Sequence, residues 1–122
     1  MSKILIIDDL ATEVHIMKEL VTSMGHQVVV ANDGEAGYAM AKAEKPQLIL
    51  LDVVMPKMDG FQTCRKIKKD PDLAKTPIIL VTTKNQDTDR SWGLKQGASD
   101  FVSKPFDAQN LGTKIDALLR AA

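Results

Sequence analysis

Leu48-Ile49-Leu50-Leu51-Asp52-Val53-Val54-Met55-Pro56 sets four consecutive aliphatic residues before one carboxylate, then three more apolar residues and a proline. Four apolar residues without polar alternation read as a strand buried on both faces, and Pro56 marks the turn beyond it. An aspartate where such a strand runs out is either a cap on a turn or helix or a member of a site. The other strand ends decide between the two.

Outward from this stretch, short aliphatic runs alternate with helical patterns five times. Lys3 to Asp8 (KILIID) is a strand candidate, and the helix after it places Val14, Met17, Leu20, Val21 and Met24 on one face before Gly25 ends it. QVVVA is the second strand. An alanine-rich helix starts near Asp33 and closes at Pro46, ahead of Leu48–Leu51. GFQTCRKIKK sets Phe61, Cys64 and Ile67 on one helical face before Asp70-Pro71 breaks it; Pro77 to Thr82 is the fourth strand, and a polar helix runs from about Gln86 to Gln96. DFVS and a helix with Leu111, Ile115 and Leu118 complete the pattern. Five βα units with apolar strands predict a doubly wound parallel sheet covered by helices on both faces.

The bulk properties agree and exclude several classes. With 122 residues, 44% hydrophobic and 26% charged, the chain fits one globular domain over 1–122, with no room for a second. Sixteen basic residues balance sixteen acidic ones, which predicts neither direct nucleic-acid binding nor an anionic-membrane partner. One cysteine, Cys64, cannot form an internal disulfide and reads as a small buried hydrophobe, and no apolar run suits a signal peptide or membrane insertion. A soluble, cytoplasmic protein is the expectation. Five aromatics leave little for a base-stacking surface. His15 and His26 share no metal-binding spacing, and Arg65 to Lys69 (RKIKK) reads first as a solvated helix end whose cations suit the helix dipole, with partner binding as the minority reading.

In a doubly wound sheet, the chemistry sits at the carboxyl ends of the strands. There the sequence puts Asp8 and Asp9, Asp52, Thr82 and Thr83, and Ser103 and Lys104. Three carboxylates at adjoining strand ends repel one another unless something positive joins them. A hard divalent cation with oxygen ligands, Mg²⁺ above all, relieves the repulsion, and Lys104 adds a fixed charge. A carboxylate beside Mg²⁺, an ammonium and a hydroxyl is equipped to take a phosphoryl group.

The acidic pair Asp8-Asp9, LLDVVMPKMDG around Asp52, LVTT with Thr82, GASDF and SKPF occur in order, and with them the chain resembles a bacterial response-regulator receiver domain over its entire length. The resemblance implies a flavodoxin-like (βα)5 fold with strand order 2-1-3-4-5. It makes Asp52 the phosphoacceptor, Asp9 a direct metal ligand, Asp8 a ligand acting largely through water and the Val54 backbone carbonyl the third protein ligand of Mg²⁺, with Mn²⁺ as a substitute. Thr82 becomes the hydroxyl that senses the phosphoryl group, Lys104 its ion-pair partner, Phe101 the switch aromatic, and Lys104-Pro105 a cis peptide. The implied protein is a switch that catalyses its own phosphotransfer and dephosphorylation without being a turnover enzyme. Its phosphodonor is a histidine kinase, and its signal leaves to a partner protein through the face of helix four, strand five and helix five. No output domain follows in 1–122. Within the family the chain is most similar to single-domain receivers of type IV pilus chemosensory systems, which control twitching motility.

Three positions depart from the common pattern. Val54 stands where many relatives carry a polar side chain and Lys84 where an acid is frequent, so both are expected to tune the lifetime of the phosphorylated state. Trp92, on the polar fourth helix, has two readings: it packs against a neighbouring helix, the preferred one, or it is a partly exposed anchor for a partner. Phe101 offers no phenolic hydroxyl. A phosphate-sink receiver or one from another two-component pathway is the nearest alternative. A flavin-binding flavodoxin-like domain and a Mg²⁺-dependent aspartyl phosphatase are more remote, because the first loop presents Asp8 and Asp9 and the Asp52 site is not on the first strand.

Overall fold

The computed structural model describes residues 1–121. Five strands, β1 (Lys3–Ile7), β2 (Gln27–Ala31), β3 (Leu48–Leu51), β4 (Ile78–Thr82) and β5 (Asp100–Ser103), alternate with helices α1 (Ala11–Ser23), α2 (Gly34–Glu44), α3 (Gly60–Lys69), α4 (Asp87–Lys95) and α5 (Ala108–Arg120). All strand pairs are parallel, in the order β2-β1-β3-β4-β5. The expected element order, strand order and fold class are all present, with boundaries moved by a residue or two.

Successive strand residues point to opposite faces, and the aliphatic runs split accordingly. Leu5, Ile7, Ile49, Leu51, Ile78 and Leu80 pack with Phe61, Cys64 and Ile67 of α3. Ile4, Ile6, Leu48, Leu50, Ile79 and Val81 pack with Met17 and Val21 of α1 and Leu111 and Ile115 of α5. Each such fully buried Leu or Ile contributes about 1.5–3 kcal/mol by leaving water, so the central strands β1, β3 and β4 hold the sheet together. The reading of every strand as buried on both faces is too strong for β2: at the sheet edge, Val28, Val29 and Val30 are only partly covered.

Local signals end the elements as their chemistry requires. The Asp33 carboxylate accepts from the Ala36 amide at 2.7 Å, and Asp59 and Gln62 form a reciprocal capping box at the start of α3. Each satisfies backbone amides that the first turn leaves without partners. Gly25 and Gly97 follow α1 and α4 with φ of 87° and 106°, a backbone region that side chains disfavour.

Candidate functional site

The site begins where the sheet stops. The backbone N–H of Asp8 donates to the Ala31 carbonyl at 3.1 Å, and that of Asp52 to the Ile7 carbonyl at 2.9 Å. Both aspartates are thus held one residue past β1 and β3, side by side at the same sheet edge. The N–H of Lys104 donates to the Thr82 carbonyl at 2.8 Å, tying the end of β5 to that of β4. Four segments distant in sequence therefore converge because parallel strands end together.

Gly60 fixes the loop after Asp52. Its N–H donates to the Val53 carbonyl at 2.9 Å, and a Cβ there would lie 2.2 Å from the Asp52 carbonyl oxygen and 2.6 Å from the Val53 Cα. No side chain fits. The Met58 N–H donates to the Pro56 carbonyl at 2.9 Å and closes a tight turn in which Lys57 takes a φ of 69°, a conformation that costs a non-glycine residue free energy.

Carboxylate oxygens of Asp8, Asp9 and Asp52 lie within 4.8 Å of one another. Asp8 and Asp52 are buried and Asp9 is exposed. The buried Lys104 ammonium reaches between them, 2.7 Å from Asp8 Oδ2 and 3.7 Å from Asp52 Oδ2. Its hydrogen bond goes to Asp8, and Asp52 receives charge without a hydrogen bond. Oδ1 of Asp52 accepts from the Val54 amide at 3.3 Å, and Oδ1 of Asp8 from the Leu10 amide at 3.0 Å. Burial pushes the Asp52 carboxyl above the usual carboxylate range; Lys104 pulls it down, Asp8 pushes it further up, and the Thr82 hydroxyl and Val54 amide pull down. Burial wins.

This donor set fits a hard divalent cation: three carboxylates supply oxygen ligands alone, at a spacing one ion can bridge, and one of them faces solvent. The same edge carries the hydroxyl of the fully buried Thr82. Such an arrangement can neutralise the oxygens of a tetrahedral anion while leaving one oxygen of Asp52 free to react.

Not every expected residue faces the site. Lys84 is exposed and its ammonium pairs with Asp89 at 3.2 Å, while its N–H donates to Thr82 Oγ1 at 3.2 Å. The Val54 side chain is 53% exposed, on the loop that follows Asp52. Phe101 is buried on β5, opposite Leu80 in the strand register. Of the two readings of Trp92 the preferred one, packing, gives way to the partly exposed one: it is 46% exposed, because the α4 position that meets the sheet is Gly93, where a Cβ would lie 2.5 Å from Leu80 Cδ1 and 3.6 Å from Phe101 Cδ2. The Lys104-Pro105 peptide is cis as expected.

The sequence reading passed over two features. Asp100 accepts from Lys114 at 3.0 Å, with the Arg90 guanidinium 3.9 Å away and reaching the Phe101 carbonyl at 3.4 Å. These contacts join α4, β5 and α5 around Phe101. On another face, Asp70 Oδ2 accepts from the Tyr38 hydroxyl at 2.5 Å and from Lys42 at 2.9 Å, which holds the Asp70 carboxyl down at about 2. Nothing in the local pattern of any of these residues marks the pairing.

The family model of the response regulator receiver domain matches residues 4–116. The chain belongs to the response regulator receiver family. It is 44% identical over 119 residues to protein PilH of Pseudomonas aeruginosa, covering 98% of each chain. It is also 41% identical over 119 residues to response regulator PleD of Caulobacter vibrioides, but spans only 26% of that protein's length. Among solved structures, chemotaxis protein CheY4 of Vibrio cholerae superposes with a TM-score of 0.91 at 27% identity, covering 97% of this chain and 98% of that one. As a receiver of two-component signalling, the chain is a signalling switch rather than a turnover enzyme. Receiver domains bind Mg²⁺ in an acidic pocket, and Asp8, Asp9 and Asp52 form an acidic cluster here. Among the described residues, no helix is long and apolar enough to cross a membrane.

Proposed function

We propose that this receiver accepts a phosphoryl group on Asp52 from the phosphohistidine of a histidine kinase and passes the signal to a partner protein. The observation that carries the reading is the buried Asp52 carboxylate, set within 4.8 Å of Asp8 and Asp9 and 3.7 Å from Lys104. Asp8, Asp9, Asp52 and the Val54 carbonyl would hold Mg²⁺, or Mn²⁺ in its place. When bound, the ion supplies positive charge to the phosphoryl oxygens.

In the proposed transfer, an Asp52 oxygen attacks phosphorus in line with the P–N bond. That bond breaks with its electron pair going to the imidazole nitrogen, and an acyl phosphate remains on Asp52. Lys104, 2.7 Å from Asp8 and 3.7 Å from Asp52, exchanges its bond to Asp8 for one to a phosphoryl oxygen. The Thr82 hydroxyl donates to the phosphoryl group, and Phe101 repacks into the space it leaves. Thr82 and Phe101 then form the two-state element, and the face of α4, β5 and α5, already joined through Asp100, Arg90 and Lys114, is the output.

The domain is proposed to act in the cytoplasm as a single receiver unit in chemosensory control of type IV pili and twitching motility. Likeness to protein PilH over 98% of both chains supports this pathway over a general two-component role. The test is transfer from purified phosphorylated kinases to the wild-type chain and to Asp52→Asn. Rapid acid-labile labelling of the wild type, absent in Asp52→Asn, is expected. Labelling that persists in the variant would reject Asp52 as the acceptor.

A further inference from the structure

Two sequence features left without a role meet on one surface. The basic run of α3 and the exposed Trp92 of α4 line the same open groove of about 490 Å³, floored by the edge of Phe61. We propose that this α3–α4 groove docks an acidic segment of a partner protein that presents an apolar side chain to Trp92.

Charge selects the occupant. Arg65, Lys66 and Lys69 are exposed, and among the described residues none has a carboxylate within ion-pair distance. Lys3, Lys42, Lys84 and Lys114 each pair with a carboxylate within 3.2 Å; among the described residues Lys18, Lys45, Lys57, Lys68, Lys75 and Lys95 do not, but none of these six lines this groove. Arg65 Nε donates to Gln96 Oε1 at 2.7 Å, which holds the guanidinium against α4 and beside Trp92. Gln96 is buried, so this anchor is built into the helix pair. Lys66 lies 4.7 Å from the centre of the Tyr38 ring, which leaves its charge unneutralised. The one carboxylate on the groove wall, Asp59, is already committed as the α3 cap.

Shape and chemistry favour a peptide. The groove is open, and its surface is mainly apolar, from Trp92, Phe61 and the aliphatic stems of its basic residues, with their charged heads alongside. A tryptophan flanked by arginine and lysines is the composition of an interface anchor inside a polar rim.

A displayed library of random peptides, selected on the full chain, tests the proposal. Enriched sequences should place aspartates and glutamates around a phenylalanine or leucine. Binding of tryptophan-free versions should shift the emission of Trp92, the only tryptophan, and should weaken as salt rises. Lys69→Glu should weaken binding about threefold and Lys66→Glu with Lys69→Glu about tenfold, since each reversal turns an exposed attraction into a repulsion. Trp92→Ala should reduce binding while circular dichroism stays unchanged, because the ring is 46% exposed and lies outside both core clusters. Enriched peptides without acidic bias, no peptide enriched at all, or affinities unmoved by the charge reversals would each overturn the proposal.

Discussion

Replacing Asp52 by asparagine should make the metal-free protein more stable. Asp52 is buried, and keeping an isolated carboxylate charged away from water costs several kcal/mol. At its 3.7 Å distance, Lys104 returns about 4.5 kcal/mol at an effective dielectric constant near 20. Asp8, within 4.8 Å, takes back about 3.5 kcal/mol on the same scale. The two nearly cancel, and Asp9 adds a screened repulsion, so the burial cost is left to the Val54 and Thr82 hydrogen bonds, which do not cover it. Asparagine keeps the shape and an oxygen for the Val54 amide, and Lys104 keeps its 2.7 Å bond to Asp8. Because Lys104 keeps Asp8, no charge is left unpaired, and the expected gain is about 2 kcal/mol, a part of the several-kcal/mol burial cost left uncovered, or roughly 6–10 °C in Tm for a domain of this size.

The assay is thermal and urea unfolding of both proteins with EDTA and with Mg²⁺. Mg²⁺ should stabilise the wild type more than the variant, because it binds the folded cluster and loses a ligand charge in Asp52→Asn. The pH dependence has a definite sign. The folded-state pKa of Asp52 is raised, so its protonated form favours the fold. The deficit of wild type against Asp52→Asn should shrink as pH falls through that raised value and be smallest below about 3.9, the ordinary aspartate pKa. An Asp52→Asn protein no more stable than wild type in EDTA, or equal stabilisation of both by Mg²⁺, would refute the account of a buried, under-compensated charge.

Three other changes have expected outcomes. Val54→Asn with Lys84→Glu should speed loss of the phosphoryl group about tenfold, about 1.4 kcal/mol in the barrier, because Val54 offers an approaching water no hydrogen bond and Lys84 is turned to Asp89; first-order decay after removal of the donor measures it, and equal lifetimes would place control elsewhere. Gly60→Ala should slow phosphorylation by at least about tenfold and lower Tm, since its Cβ would force the Asp52 carbonyl, 2.2 Å away, to move and displace the acceptor; near-normal rates in a folded variant would contradict this. Tyr38→Phe should raise the Asp70 pKa from about 2, because it removes the strongest of the bonds that hold it down. The folded value is depressed, so the stability that Asp70 contributes is present above the ordinary carboxylate pKa and is lost as pH falls towards about 2. A carboxyl NMR titration of Asp70, with acid unfolding of both proteins, follows the change, and an unmoved midpoint would show that Lys42 alone suffices.

Much of this protein is legible without coordinates. Strands such as Leu48–Leu51 and Ile78–Thr82 announce themselves because a chain buried on both faces has no position for a polar residue. Gly25, Pro46 and Asp70-Pro71 end their helices through backbone restrictions that act locally. With five such units in a row, a parallel sheet follows, and with it the convergence of Asp8, Asp9, Asp52, Thr82 and Lys104 at one edge. Resemblance to a family then attached roles to those residues that no spacing could have supplied. Tertiary structure alone decided how the charged side chains pair. Lys104 bonds to Asp8, 96 residues away in sequence, more closely than to Asp52; Lys84 turns to Asp89; Tyr38 meets Asp70; and Trp92 stays exposed because Gly93 takes the place against Leu80. Backbone periodicity repeats over a few residues and so survives in the sequence. Which long side chain reaches which partner depends on helix placements set by the whole core, and no local pattern encodes them.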